Sequence, residues 1–203
     1  MKTKLITLLS ILALYSFSQK GYIAGYILKG NDTIKGKVKD KLISFTPGRI
    51  KFIGNNGKSE KLNPRQIKGY GKLGLINFRS IKTGPFRGGT RFAQVLEDGD
   101  LILYTYSNTS THHGTTTTYN GGGSFSSNYN GMNSTRQNTY YFLQRKSKPD
   151  EVERVPPMSF YSFMASYVSD DKELKKMLED KAFNYYDIDI IVKKYNLNKK
   201  GNK

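Results

Sequence analysis

The sequence predicts an α+β, β-rich protein: a mostly antiparallel sheet or small barrel-like roll followed by two or three short C-terminal helices. Three observations carry that expectation. From residue 21 to residue 106, short runs of β-branched and aromatic residues are separated by Gly, Asn and Asp clusters, the texture of strands and tight turns. Beyond Pro156-Pro157 the apolar residues recur at three and four rather than two, the spacing of one helix face. After the opening segment, no apolar run approaches the roughly 20 residues that a membrane helix needs.

The opening segment is an address. Met1-Lys2-Thr3-Lys4 is basic, Leu5 to Leu14 is apolar, and Ser16 and Ser18 are small residues ahead of Gln19. Basic, apolar, then small-x-small is the order of a secretory signal peptide at 1–18, with a buried N-terminal helix as the alternative. The expected location is therefore outside the cytoplasm: periplasm, outer-membrane associated or extracellular, with no integral membrane span once the signal is removed. The chain has no cysteine. That excludes disulfides, thiol nucleophiles, Cys metal sites and the lipidated cysteine of a lipoprotein, and it suits a bacterial envelope protein better than a small eukaryotic secreted domain.

The elements follow in order. Residues 19–157 read as one basic β-rich unit. Tyr22 to Leu28 is a strand, Gly30-Asn31-Asp32 is turn chemistry, and Thr33 to Lys39 alternates. Ile34, Gly36 and Val38 point one way, and Lys35, Lys37 and Lys39 the other, into water, because three buried ammonium groups would be prohibitively costly. Arg49 to Ile53 alternates likewise, Asn55-Asn56-Gly57 turns, and Lys58 to Leu62 returns. Asn63 can cap a helical turn begun by Pro64. Leu75 to Ile81, Arg91 to Leu96, Leu101 to Tyr106 and Thr139 to Gln144 are further strands, with Glu97 to Asp100 as a hairpin turn. Residues 107–138 are mostly Ser, Thr, Asn and Gly; such a stretch buries too little apolar surface to offset its ordering entropy and is expected to be a disordered loop. Residues 158–203 read as short helices packed on the β unit: Phe160 to Tyr167 capped by Ser159, Lys172 to Lys181 capped from Ser169-Asp170-Asp171, and Ile188 to Tyr195 capped by Asp187, with Asn198 to Lys203 frayed.

Charge is the main guide to partners. Residues 19–148 hold 21 Lys and Arg against 6 Asp and Glu, whereas residues 149–203 hold 10 against 10. The basic excess belongs to the β unit and points to an acidic partner, namely an acidic envelope surface or polyanion such as lipopolysaccharide, an acidic polysaccharide or an acidic protein, with a solvated basic surface that has no specific polyanion as the alternative. Export argues against nucleic acid. The candidate polyanion-binding residues are Lys35, Lys37, Lys39, Arg49 and Lys51, a stripe if their strands are neighbours, with Tyr22, Tyr26, Tyr70, Tyr104 and Tyr106 as possible stacking platforms.

No catalytic, cofactor-binding or metal residues emerge. His112 and His113 are the only histidines, and the expected loop would not hold a base rigidly against a nucleophile. Of the acids in the β unit, Asp32, Glu97, Asp98 and Asp100 fall in expected turns, which account for them without a glycosidase pair. Gly69, Gly71 and Gly74 match G-x-G-x-x-G, but no strand–helix unit surrounds them, so a bend between strands is the better reading.

A likeness appears in the opening Gly21-Tyr22-Ile23 with Asn31-Asp32-Thr33-Ile34-Lys35-Gly36-Lys37-Val38, in Pro64-x-x-Ile67-Lys68-Gly69-Tyr70-Gly71, and in the closing Ile190-Ile191-Val192-Lys193-Lys194-Tyr195-Asn196. Together they resemble uncharacterised exported proteins of Bacteroidota with a "GYI…GDTIKGKI" start and an "IVxxYN" end. The resemblance implies an envelope location and a β-rich fold, and brings no activity. Asp32-Thr33-Ile34 also resembles the O-glycosylation site of those bacteria, which makes Thr33 a candidate modified residue; turn formation is its other explanation. The sequence thus supports a non-catalytic binding or scaffold module of the envelope. An enzyme acting on envelope glycans or lipids, or an accessory subunit of a cell-surface complex with an envelope protein partner, are the alternatives.

Overall fold

The computed structural model describes residues 21–39, 48–73, 76–83, 89–113, 116–120, 124–128 and 133–201. The expected signal peptide at 1–18 lies outside them, as do Asp40, Gly74 and Leu75.

Among the described residues, twelve strands and three α-helices follow one another: β1 Ile23–Lys29, β2 Asp32–Lys39, β3 Ile50–Gly54, β4 Ser59–Leu62, β5 Gly69–Lys72, β6 Asn77–Lys82, β7 Thr90–Asp98, β8 Leu101–His113, β9 Thr116–Asn120, β10 Ser124–Asn128, β11 Asn133–Arg145, β12 Val152–Arg154, then α1 Phe160–Tyr167, α2 Lys172–Glu179 and α3 Ile188–Gly201. Ten strands form one sheet in the order β12-β11-β8-β7-β6-β5-β1-β2-β3-β4, and β9 and β10 pair separately. Every pairing is antiparallel. The sheet is open, with β12 and β4 as its edges, so the sheet rather than the barrel-like alternative describes it.

Strand alternation gives the sheet two chemically different faces. One carries Ile27, Val38, Phe52, Tyr70, Phe78 and Phe92, buried in a core that, among the described residues, strands and Ile67 supply. Farther along the same face, Leu101, Leu103 and Leu143 pack under the helices, which contribute Phe160, Met164, Leu174, Leu178, Ile191, Val192 and Tyr195. This is the helix face. The opposite side is the lysine face; near β6, β7, β8 and β11 it has a smaller core of Ile81, Ala93, Tyr104 and Phe142.

Gly25, Gly36 and Gly54 stand opposite one another across β1, β2 and β3, forming a row without side chains on the helix face. A Cβ on Gly36 would lie 2.6 Å from the Phe52 ring and 2.3 Å from the Ile53 carbonyl oxygen. The empty row therefore leaves the Phe52 ring room to pack over β2. The hairpin between β1 and β2 turns on two residues, with Gly30 at φ +60, the position glycine takes in a type II′ turn.

Several expectations are corrected. Gly69 and Gly71 belong to strand β5, between β1 and β6, not to a bend. The stretch 107–138, expected as a disordered loop, carries strand: β8 and β11 pair without a break from Arg145 opposite Leu101 to Asn133 opposite His113, and β9 pairs with β10. The physical reason is that Tyr104 and Phe142 already fix the register of this hairpin. Each further pair then adds ladder bonds without a new loop-closure cost, and Thr suits an extended backbone.

The helical end also differs in detail. Ser159 holds the N-cap position of α1 without a side-chain cap bond. Asp171 does cap α2, accepting from Leu174 N at 3.0 Å. Asp187 ends a 3₁₀ turn at Tyr185–Asp187 and completes a capping box with Asn184. The residues expected to fray remain helical to Gly201. Asn196, 6% exposed, explains why α3 docks where it does: its Nδ2 donates to the Leu101 carbonyl at 2.8 Å and its Oδ1 accepts from Leu101 N at 2.9 Å. Gly99 gives it room, since a Cβ there would lie 2.3 Å from the amide.

Candidate functional site

The structure brings most of the expected basic stripe together. Lys35, Lys37 and Lys39 follow one another along the lysine face of β2, and Lys51 stands directly opposite Lys39 on β3. Lys35, Lys37 and Lys51 are exposed and Lys39 is half-buried, its Nζ 5.3 Å from the centre of the Tyr22 ring. Arg49 is exposed just before β3. Lys61 extends the row, opposite Lys51 on β4.

The expected aromatics divide. Tyr22 and Tyr26 flank the lysines, and the Tyr26 hydroxyl donates to Asn77 Oδ1 at 2.9 Å. Tyr70 is buried on the helix face, stacked on Phe78 at 4.7 Å, and cannot meet a ligand. Tyr104 is on the lysine side but buried; its hydroxyl donates to Gln144 Oε1 at 2.5 Å. Burial pushes that phenol up to about 12, with the Arg79 guanidinium pulling it down and Asp98 pushing it up.

The basic face extends beyond the expected stripe. Register places Arg79 of β6, Arg91 of β7 and Arg154 of β12 on this same side, with Arg154 opposite Phe142 and Arg79 opposite Ala93. Among the described strand residues, Asp98 is the one carboxylate that register assigns to this face. Arg154 was not legible as a member, because it belongs to the charge-balanced C-terminal part of the sequence and to a three-residue strand. The period-two alternation of β6 and β7 was the available signal for Arg79 and Arg91.

Two open recesses interrupt the face. One, about 670 Å³, is lined by Lys68, Arg79, Tyr104, Gln144 and Asp150 among others. The second, about 460 Å³, lies between Arg91 and Arg154. Thr33 is exposed on β2 opposite Leu28. His112 and His113 are ladder residues of β8, opposite Ser134 and Asn133. Among the described residues, no group of three or more His, Cys, Asp or Glu side chains is placed to hold a metal ion, and no helix is long and apolar enough to cross a membrane. Comparison with protein-family models, with curated proteins and with solved structures finds no match for this chain.

Proposed function

We propose that this is an exported envelope protein that works as a non-catalytic binding or scaffold module, holding an acidic polymer or surface against the lysine face of its sheet. The observation that carries the reading is the one-sidedness of charge: Lys35, Lys37, Lys39, Lys51, Lys61, Arg79, Arg91 and Arg154 share a face on which the described strands place one carboxylate, Asp98, with Asp150 beside it in a loop. Such a surface attracts polyanions from a distance and loses that attraction as salt screens it. The basic start and apolar run of residues 1–14 support export.

The test is to express the tagged full chain in a Bacteroidota host, fractionate the cells and wash the membranes with salt from roughly 0.1 to 1 M. Release across that range in the parent, with earlier release after Lys35→Gln, Lys37→Gln and Lys51→Gln together, supports the reading. A protein already free at low salt overturns it. A second reading, an accessory subunit of a cell-surface complex, draws on Tyr186, Ile190 and Leu197, exposed by 78%, 54% and 57% on the helical layer. Membrane attachment indifferent to salt would favour it.

A further inference from the structure

The recess between Arg91 and Arg154 is built differently from the rest of the lysine face. Tyr106 of β8 and Tyr140 of β11 stand directly opposite each other, their rings 6.4 Å apart and 22° from parallel. The Arg91 guanidinium carbon lies 5.8 Å from the centre of Tyr106, and that of Arg154 lies 4.5 Å from the centre of Tyr140. The order across the four strands is thus arginine, tyrosine, tyrosine, arginine. Contact with a ring restrains each guanidinium while leaving its N–H fork available. Among the described residues neither is in an ion pair with a carboxylate.

The same recess holds an orphan. Asn108 Oδ1 is buried and has no hydrogen-bond partner among the described residues. A buried acceptor left unpaired is costly, and native proteins supply it with a donor. The site therefore asks for one ligand with three properties: a carboxylate-like anion for the guanidinium forks, a hydroxyl donor for Asn108, and an apolar ring face for the tyrosines. The volume, about 460 Å³, is within the range of small-molecule sites.

We propose that this recess is a subsite for a hexuronic acid residue of an acidic polysaccharide, an inference that rests on the polyanion-binding reading of the lysine face. A phosphodiester satisfies the arginines but offers no donor to Asn108. A neutral sugar offers the donor and the ring but no anion. The carboxylate takes the N–H fork of one guanidinium at an end of the arginine–tyrosine–tyrosine–arginine row, the pyranose rests on the neighbouring tyrosine, and a ring hydroxyl donates to Asn108 Oδ1 as the side chains covering that atom give way.

The test uses the purified chain in calorimetric titrations at about 0.15 M salt, where exposed charges are substantially screened. The probes are an oligogalacturonate, its methyl-esterified counterpart and dextran sulfate. Expected is binding of the oligogalacturonate, weakened about tenfold or more by esterification, by Arg91→Gln with Arg154→Gln, and by Asn108→Leu. Dextran sulfate binding should change by less than about threefold in Asn108→Leu, since that variant keeps every charge. Arg154→Lys provides a variant at an exposed position with the charge retained: it should weaken the oligogalacturonate and leave dextran sulfate unchanged. Far-UV circular dichroism and urea midpoints check each fold. Equal affinity for the esterified and free oligomers, or no effect of the double arginine variant, overturns the subsite. Binding of dextran sulfate without the oligogalacturonate overturns the subsite alone, whereas failure of both probes removes the polyanion reading with it.

Discussion

Removing the Asn196 side chain should undock α3 from the sheet. The amide makes two bonds to one backbone residue, donating to the Leu101 carbonyl at 2.8 Å and accepting from its N–H at 2.9 Å. Leu101 is fully buried, so water cannot replace either bond. Asn196→Ala leaves a buried donor and a buried acceptor unpaired, each costing about 1–3 kcal/mol, and opens a void against Gly99. The two groups alone, roughly 2–6 kcal/mol together, are a large fraction of the ~5–15 kcal/mol that holds a typical domain. Asn196→Asp refines the test. Ionised, it faces the Leu101 carbonyl with a second acceptor; protonated, it regains the donor. Its folded pKa should therefore rise above the unfolded value near 3.9, so its penalty relative to the parent should shrink as pH falls from about 7 toward about 4. Urea unfolding followed by far-UV circular dichroism at several pH values measures both. Asn196→Ala within about 0.5 kcal/mol of the parent, together with a pH-independent Asn196→Asp penalty, would refute the docking argument.

Three further outcomes follow from local geometry. Gly36→Ala should lower the urea midpoint markedly, because its Cβ would meet the Ile53 carbonyl at 2.3 Å, whereas Gly48→Ala, in open space and at an ordinary φ, should cost little; equal midpoints for the two would undo the account of the glycine row. Partial burial opposes ionisation of Asp170, but hydrogen bonds from Lys199 and Tyr195 outweigh it and hold the carboxyl below its ordinary range. Its stabilising contribution is therefore present above an unfolded value near 3.8 and lost as pH falls through the lower folded value, so Asp170→Asn should flatten the acid limb of the stability profile. Tyr104, with its phenol at about 12 through burial, should stay protonated in the fold when ordinary tyrosines ionise near 10; a spectrophotometric titration of Tyr104→Phe should lose one late step and keep the still later one of Tyr167, which burial and its bond to Glu153 push higher, and loss of an early step would contradict the burial argument.

How far the sequence disclosed this molecule depends on the range of the interactions involved. The alternation of Ile34, Gly36 and Val38 with three lysines is local, and the structure places those residues on opposite faces as expected. The helices at 160–167 and 172–179 were equally visible, since their apolar spacing is written within one or two turns. By contrast, β5 contains two glycines in four residues and has no strand signature; pairing with β1 and β6 makes it one. The extension of β8 and β11 through Ser- and Thr-rich sequence is also a tertiary effect, because register set by buried Tyr104 and Phe142 propagates outward. Candidate-site residues followed the same rule. Lys35, Lys37 and Lys39 share one strand and could be grouped by inspection, but Arg91 and Arg154 are adjacent to one recess only because β7, β8, β11 and β12 stand side by side. Tyr70 was misjudged as a stacking candidate because the face of β5 is set by its partners.

The cross-strand row of Lys39, Lys51 and Lys61 offers a direct conflict between stability and binding. These residues are directly opposite on three adjacent strands, where side-chain bases lie about 5 Å apart and like charges repel. Lys51 is the middle member and repels on both sides. Lys51→Thr removes both repulsions and substitutes a good strand former, so the fold should gain about 0.5 kcal/mol at low salt, with the gain shrinking toward 1 M salt as screening removes what the substitution relieved. The same change removes one contact from the face proposed to meet polyanions, so dextran sulfate affinity should fall and its dependence on salt become shallower by about one cation. A substitution that stabilises the protein while weakening its attachment is the behaviour expected of a surface whose charges are held against the interests of the fold. If Lys51→Thr stabilises the protein but leaves both the affinity and the salt dependence of polymer binding unchanged, the lysine row is a solvated sheet face, and the contact surface must be sought around Arg79, Arg91 and Arg154 instead.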